Sequence, residues 1–168
     1  MAIPDFIKAL REKVGTDLLQ VSTVGVIVYD ERGRLLLIQD KVSGLWGLPG
    51  GIIDPHELPA DAAVRETWEE AGVFVELTRI VGVFAGAKFS GMYENGDQVA
   101  CVATIFLARV IRGTARPDGV ETSDARFCCS HEIDNLPCQP HLLVILEAMS
   151  QSQQEGYFAP SSWQPQSS

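Results

Sequence analysis

GIIDPHELPADAAVRETWEEAGV, residues 51–73, decides how this chain is read. Pro59 fits a first helical position, because its fixed φ suits a helix and its missing N–H had no partner there anyway. Asp61 falls in the first turn, where the helix dipole favours negative charge. Gly72 suits the left-handed residue that closes a helix. The spacing therefore predicts one helix over residues 59–71. Glu66, Glu69 and Glu70 lie three or four apart and share one face. Val64, Trp68 and Ala71 recur at i, i+4 and i+7 on another face, which is expected to pack on a sheet.

The carboxylates do not favour helix stability. Glu69 and Glu70 sit in the last turn, where the dipole disfavours each anion by about 0.3–1 kcal/mol. Two partly buried carboxylates ~5 Å apart repel by roughly 3 kcal/mol at an effective dielectric near 20. Arg65 is the only Lys or Arg in the stretch, and its natural partner at i+4 is Glu69. The missing countercharge suggests a divalent cation, and all-oxygen ligands suit Mg²⁺ or Mn²⁺. The bland alternative is a solvated acidic helix face. LWGLPGG, residues 45–51, weighs against it, because the double glycine lets backbone approach an anionic ligand or a metal closely.

The stretch resembles the Nudix box, G-x5-E-x7-R-E-U-x-E-E-x-G-U, in which U is usually a bulky apolar residue. Gly51, Glu57, Arg65, Glu66, Glu69, Glu70 and Gly72 fill its fixed positions, and Val73 fills the last apolar one. Thr67 at the first apolar position is the one departure. The looser resemblance runs over residues 7–146. It implies an α/β/α sandwich with a mixed central sheet. It also implies water attack on a phosphorus of a nucleoside diphosphate linked to another group, assisted by metal ions. By motif position, Glu66, Glu69 and Glu70 would be metal ligands, with the Gly50 carbonyl as a backbone ligand. Arg65 would orient Glu69, and Glu57 would act in the outer shell and position the loop. Gly51 and Gly72 would be structural.

Composition sets wider bounds. With 168 residues, 46% hydrophobic and 21% charged, the chain fits one globular domain with a sizeable core. The net charge of −9 argues against a nucleic-acid groove and against an anionic membrane surface. No leader pattern or membrane-length apolar run is seen, so a cytoplasmic setting is expected. Cys101, Cys128, Cys129 and Cys138 read as buried thiols rather than disulfides. A zinc site from Cys128, Cys129, His131, Cys138 and His141 would match no common spacing.

Along the chain, residues 4–14 predict a helix with Phe6, Ile7, Leu10 and Val14 on one face. Strands are expected over residues 21–29, 34–39, 73–84 (one strand or a pair), 101–111 and 125–129. Residues 112–120 form a loop, and a second long helix follows over residues 139–150. The domain is placed at residues 1–150. Residues 151–168 form a Gln/Ser/Pro-rich tail, whose Tyr157, Phe158 and Trp163 could dock on the body or on a second subunit as a homodimer.

Glu121, after the RPDG loop, which its Gly and Pro content predicts to be flexible, is read as the general base. Glu94, Asp97 and His56 are the alternatives. Trp46, Phe84, Phe89 and Tyr93 are candidates for stacking on a base, each also suited to packing. No proline lies between residues 73 and 116, where one marks some ADP-ribose enzymes. Tyr93 sits beyond the position associated with dinucleoside polyphosphates. The expected function is metal-dependent hydrolysis of a nucleoside triphosphate, ADP-ribose or a nucleotide sugar. A non-catalytic nucleotide sensor is the alternative, and an RNA-end hydrolase fits the acidic balance poorly.

Overall fold

Alternation along two strands splits the hydrophobic residues between two layers. Val24, Val26 and Val28 point to one side and Ile27 to the other. Leu36 and Ile38 likewise oppose Leu35 and Leu37. A sheet apolar on both faces must be covered on both. The computed structural model describes residues 3–93, 95–151 and 156. Its strands are β1 (Leu19–Tyr29), β2 (Leu35–Asp40), β3 (Trp46–Gly47), β4 (Val73–Phe84), β5 (Ser90–Met92), β6 (Gln98–Gly113) and β7 (Thr122–Cys128). Its helices are α1 (Asp5–Val14), α2 (Pro59–Ala71), the single turn α3 (Ser130–Ile133) and α4 (Pro140–Gln151).

One sheet runs β3-β2-β1-β6-β4, with β7 on β2 and β5 on β6. It is mixed: β1 and β6 are parallel, and the other named pairs are antiparallel. Ala62, Ala63 and Ala71 of α2 join the Val24–Val26–Val28 layer. Leu142, Ile145 and Ala148 of α4 join the Ile27–Val81–Ile105 layer. The expected α/β/α sandwich is therefore present. Among the described residues, no helix is long and apolar enough to cross a membrane.

Several expectations need correction. Of the two readings for residues 73–84, the single strand is the one present, with bulges against β6 at Phe74/Val75, Leu77/Arg79 and Ile80/Gly82. Only Ile7 of α1 is buried; Leu10 and Val14 are exposed. Trp68 does not pack on the sheet. It is 41% exposed with the Arg112 guanidinium over its ring, while Thr67 is buried and donates its hydroxyl to the Ala63 carbonyl at 2.8 Å. The inward arc of α2 is thus one position out of phase with the apolar pattern. Of the four candidate stacking aromatics, Trp46, Phe84 and Phe89 are core residues. Tyr157, Phe158 and Trp163 lie outside the described residues.

Residues 46–53 fill the gap where β2 diverges from β1. Trp46 and Gly47 pair with Gln39 and Ile38. The Val26 and Val24 N–H groups then donate to the Pro49 and Gly51 carbonyls, each at 2.9 Å, and the Ile53 N–H donates to Ser22 O at 3.1 Å. The double glycine lies against β1 so closely that a Cβ on Gly50 would come 2.2 Å from the Val24 carbonyl oxygen. That neighbour is backbone inside the sheet and cannot step aside. Gly50→Ala should therefore cost at least about 2 kcal/mol. A thermal melt checks this, and an unchanged melting temperature would contradict the tight contact.

Candidate active site

Small residues bring α2 close to the sheet and draw two carboxylates in with it. Glu66 and Glu70 share the inward arc with Ala62, Ala63, Thr67 and Ala71, and are only 8% and 5% exposed. Pro59 opens the helix, and Gly72 closes it with a left-handed φ of 66°. Glu70 Oε2 accepts the Gly50 N–H at 2.8 Å. Pro49, Gly51 and Ile53 turn their backbone groups to β1. A Cβ on Gly51 would lie 2.3 Å from Glu66 Oε1, so Glu66 crosses a backbone that only glycine leaves open. Glu69 stands at the rim with its side chain 55% exposed.

Arg65 makes the expected contact with Glu69 and two more besides. Its Nε and Nη2 grip the two Glu57 oxygens at 2.8 and 2.9 Å in a fork-to-fork pair. Its Nη1 donates to Glu66 Oε1 at 2.8 Å and to Glu69 Oε2 at 3.1 Å. Glu69, the partner anticipated from i+4 spacing, thus has the longest of the three carboxylate contacts. Glu57 also accepts the Asp54 N–H at 3.0 Å, which ties Arg65 to the loop before α2.

These contacts polarise the group. The hydrogen bonds from Arg65 hold the Glu57 carboxyl below the usual range, and Glu57 in turn raises Arg65. Burial pushes Glu66 up against the pull of Arg65, aided by the charges of Glu69 and Glu121. Burial pushes Glu70 to about 8 despite the Gly50 N–H, with Glu66 and Glu121 adding repulsion. The sequence alone anticipated this shortage of positive charge.

Glu121 stands immediately before β7. It lines a cavity of about 390 Å³ together with Arg65, Glu66 and Glu69. Arg65 is the only cation among the described lining residues, against Asp5, Asp54, Glu66, Glu69 and Glu121. Neither Asp97 nor His56 lines it: Asp97 pairs with Arg11 at 3.5 Å, and His56 is exposed with φ 70°. Glu94 lies outside the described residues. Tyr93 is 52% exposed and does not line the cavity either.

The loop before Glu121 is tied, where the sequence suggested mobility. Asp118 Oδ1 accepts the N–H groups of Val120, Glu121 and Thr122 at 3.0, 3.0 and 2.9 Å. Desolvation opposes its charge, yet the hydrogen bonds from Thr122 and its neighbours hold its pKa below the usual range. The buried Thr122 hydroxyl also lies 3.0 Å from the Glu70 carbonyl, fastening the loop to the last turn of α2. Asp118 and Thr122 were missed as site residues. Their signal was the Asp-Gly turn with a hydroxyl residue following, a pattern of side-chain-to-backbone bonding.

A metal can be tested against these donors. Among the described residues, no three Asp, Glu, His or Cys side chains already form a metal cage. Mg²⁺ does not need one, since it usually takes one or two carboxylates, several waters and substrate phosphates. Two buried, undercompensated carboxylates beside an open cavity suit such an ion. The four cysteines are free thiols.

The raised pKa of Glu70 fixes a sign. Between its ordinary 4.5 and about 8, the folded protein binds this proton more tightly than the unfolded chain, so stability falls as pH rises. The full shift corresponds to at most about 5 kcal/mol. Buried His141 has a lowered pKa, and its own loss of stability lies below 6.5. In chelator, the melting temperature should therefore fall from pH 6.5 to about 8.5. Excess Mg²⁺ should remove that fall, and Glu70→Gln should flatten it. Parallel profiles for wild type and Glu70→Gln would contradict the assignment.

Comparison with known proteins places this architecture. The sequence model of the NUDIX domain matches residues 19–147. The chain is 30% identical over 139 residues to the MutT-like protein of Streptomyces ambofaciens, covering 83% of this chain and 82% of that protein. An ADP-ribose pyrophosphatase from Streptococcus suis superposes with a TM-score of 0.59 at 27% identity, over 80% of this chain and 94% of that one. The MutT protein from Methanosarcina mazei superposes with a TM-score of 0.65, covering 83% of this chain and 99% of that one; at 20% identity it speaks for the fold alone. By sequence and architecture together, the chain belongs to the Nudix family of hydrolases.

Proposed function

We propose that this protein hydrolyses the pyrophosphate linkage of a nucleoside diphosphate joined to a further group, and that it does so with Mg²⁺ or Mn²⁺ bound at the α2 carboxylates. The observation that carries this is the buried pair Glu66 and Glu70 one helical turn apart, with Glu66 lining a cavity whose only described cation is already shared among carboxylates. The Streptococcus suis structure, described as an ADP-ribose pyrophosphatase, supports the same linkage class.

Each residue has a distinct task in this reading. Glu66, Glu69 and Glu70 hold the ion, with the Gly50 carbonyl as a backbone donor. A divalent cation bound there supplies positive charge at the phosphoryl oxygens as negative charge develops on them. Arg65 keeps Glu66 and Glu69 in place and is itself held by Glu57. Glu121 takes a proton from the attacking water as its oxygen bonds to phosphorus. The bridging P–O bond breaks, and the leaving phosphate carries away the electron pair. Asp118 and Thr122 fix the height of Glu121 over the cavity.

Activity should require a divalent cation and be lost in excess chelator. Glu70→Gln keeps the shape of the side chain but makes a poor Mg²⁺ ligand, so turnover should fall by at least ~10²-fold in a folded variant. Glu121→Gln should lower kcat by about 10²–10⁴-fold with little change in the half-saturating Mg²⁺ concentration, and raised pH should restore part of the rate. A parallel loss of metal affinity would make Glu121 a ligand instead of the base. A product screen over nucleoside triphosphates, ADP-ribose and nucleotide sugars provides the assay. Tight nucleotide binding with no product from any of them would favour the sensor reading.

A further inference from the structure

Helix α1 lies outside the residues matched by the family domain, yet it walls the same cavity as the carboxylates. Phe6 of α1 and Pro4, its N-cap, line this cavity together with Glu66, Glu69 and Glu121, as do Ile52 and Pro55. The helix is held firmly in that position. Ile7 is buried beneath it. Arg11 donates through Nη1 to the Gly15 carbonyl at 3.1 Å and through Nη2 to the Gln98 carbonyl at 2.7 Å, and its Nε faces Asp97 at 3.5 Å. Phe6 also lines a second, mainly apolar cavity of about 190 Å³ beneath α1, so its ring partitions the two spaces.

The geometry points to α1 as the nucleoside-side wall of the catalytic cavity, with Phe6 as a specificity-determining residue against which the substrate base packs. This rests on reading the carboxylate lining as the pyrophosphate site. A volume of about 390 Å³ lies within the range of small-molecule sites. Part of the lining, Arg65, Glu66, Glu69 and Glu121, is polar and suits phosphates once a cation is present. The remainder includes an aromatic ring, two prolines and an isoleucine. Asp54 also lines the cavity and can accept from ribose hydroxyls, whereas Asp5 is paired with Lys8 at 2.8 Å. The substrate class that fits is therefore one neutral planar base on a short diphosphate.

Equilibrium binding tests this without turnover. The full-length protein in Mg²⁺ is titrated with the α,β-methylene analogues of ATP and GTP and, separately, with methylenediphosphonate, which lacks a nucleoside. Phe6→Ala should weaken binding of the nucleotide analogues about 10-fold, the effect of a lost base stack, and leave methylenediphosphonate within about 2-fold. Phe6→Trp should retain the nucleotide affinity. Phe6→Leu keeps the apolar packing without the ring and should reproduce the same split if Phe6→Ala folds poorly. Unchanged nucleotide affinity, equal losses for both probes, or no nucleotide binding by wild type would each overturn the proposal. If wild type binds the analogues but hydrolyses no nucleotide, the catalytic reading fails and the wall stands. If it hydrolyses nucleotides while the Phe6 variants bind like wild type, the wall fails and the catalytic reading stands.

Discussion

Glu66 and Glu70 are pressed against the glycine backbone of residues 50 and 51, and most of the structure serves to keep them there. Neither glycine can accept a side chain, for opposite reasons: Gly50 meets β1 and Gly51 meets Glu66. The alanines of α2 permit the approach from the helix side. Ordered backbone on one side and a close-packed helix on the other leave the carboxylates little water. Their raised pKa values express that confinement. Unpaired charge at such a depth is expensive for the fold alone, so the arrangement makes physical sense as the resting state of a site that takes up a cation.

Much of this was legible in the chain. The caps of α2, the acidic face and the lack of countercharge follow from residues 59–72 by local rules, and local rules hold best where one element carries the information. What escaped was relational. The apolar periodicity put Trp68 inward, but contact with the sheet favours the small Ala63 and buried Thr67, so the large ring turned out toward Arg112. Pairing of Arg65 with Glu69 followed from helical spacing, yet Glu57, outside the helix, offers both oxygens in one plane. For Trp46, Phe84 and Phe89 packing was the better-suited reading, and all three are in the core with α4. The Glu121 loop looked mobile from its Gly and Pro content. Only the hydrogen bonds of Asp118 and Thr122 reveal that it is anchored to α2.

Stability and chemistry are divided between different parts of the molecule. The two apolar layers and the parallel pairing of β1 with β6 are independent of the acidic cluster, so the fold can tolerate a site that opposes it. Parts brought from far apart in the sequence meet at one cavity: the first turn of α1, the loop before α2, α2 itself and the start of β7. Arg65 and Thr122 join the last three of these through hydrogen bonds, and Arg11 fixes the first. Positional precision at the carboxylates therefore does not depend on any single loop.

The central claim is that the buried carboxylates form a divalent-cation site. Calorimetric titration of Mg²⁺ or Mn²⁺ into the substrate-free protein near pH 7, repeated in buffers of different ionisation enthalpy, tests it directly. The account predicts saturable binding accompanied by release of up to about one proton, because the cation displaces the proton held by Glu70. Both the binding and the release should be lost in Glu70→Gln. No saturable binding, or binding that releases no proton and survives that substitution, would contradict it.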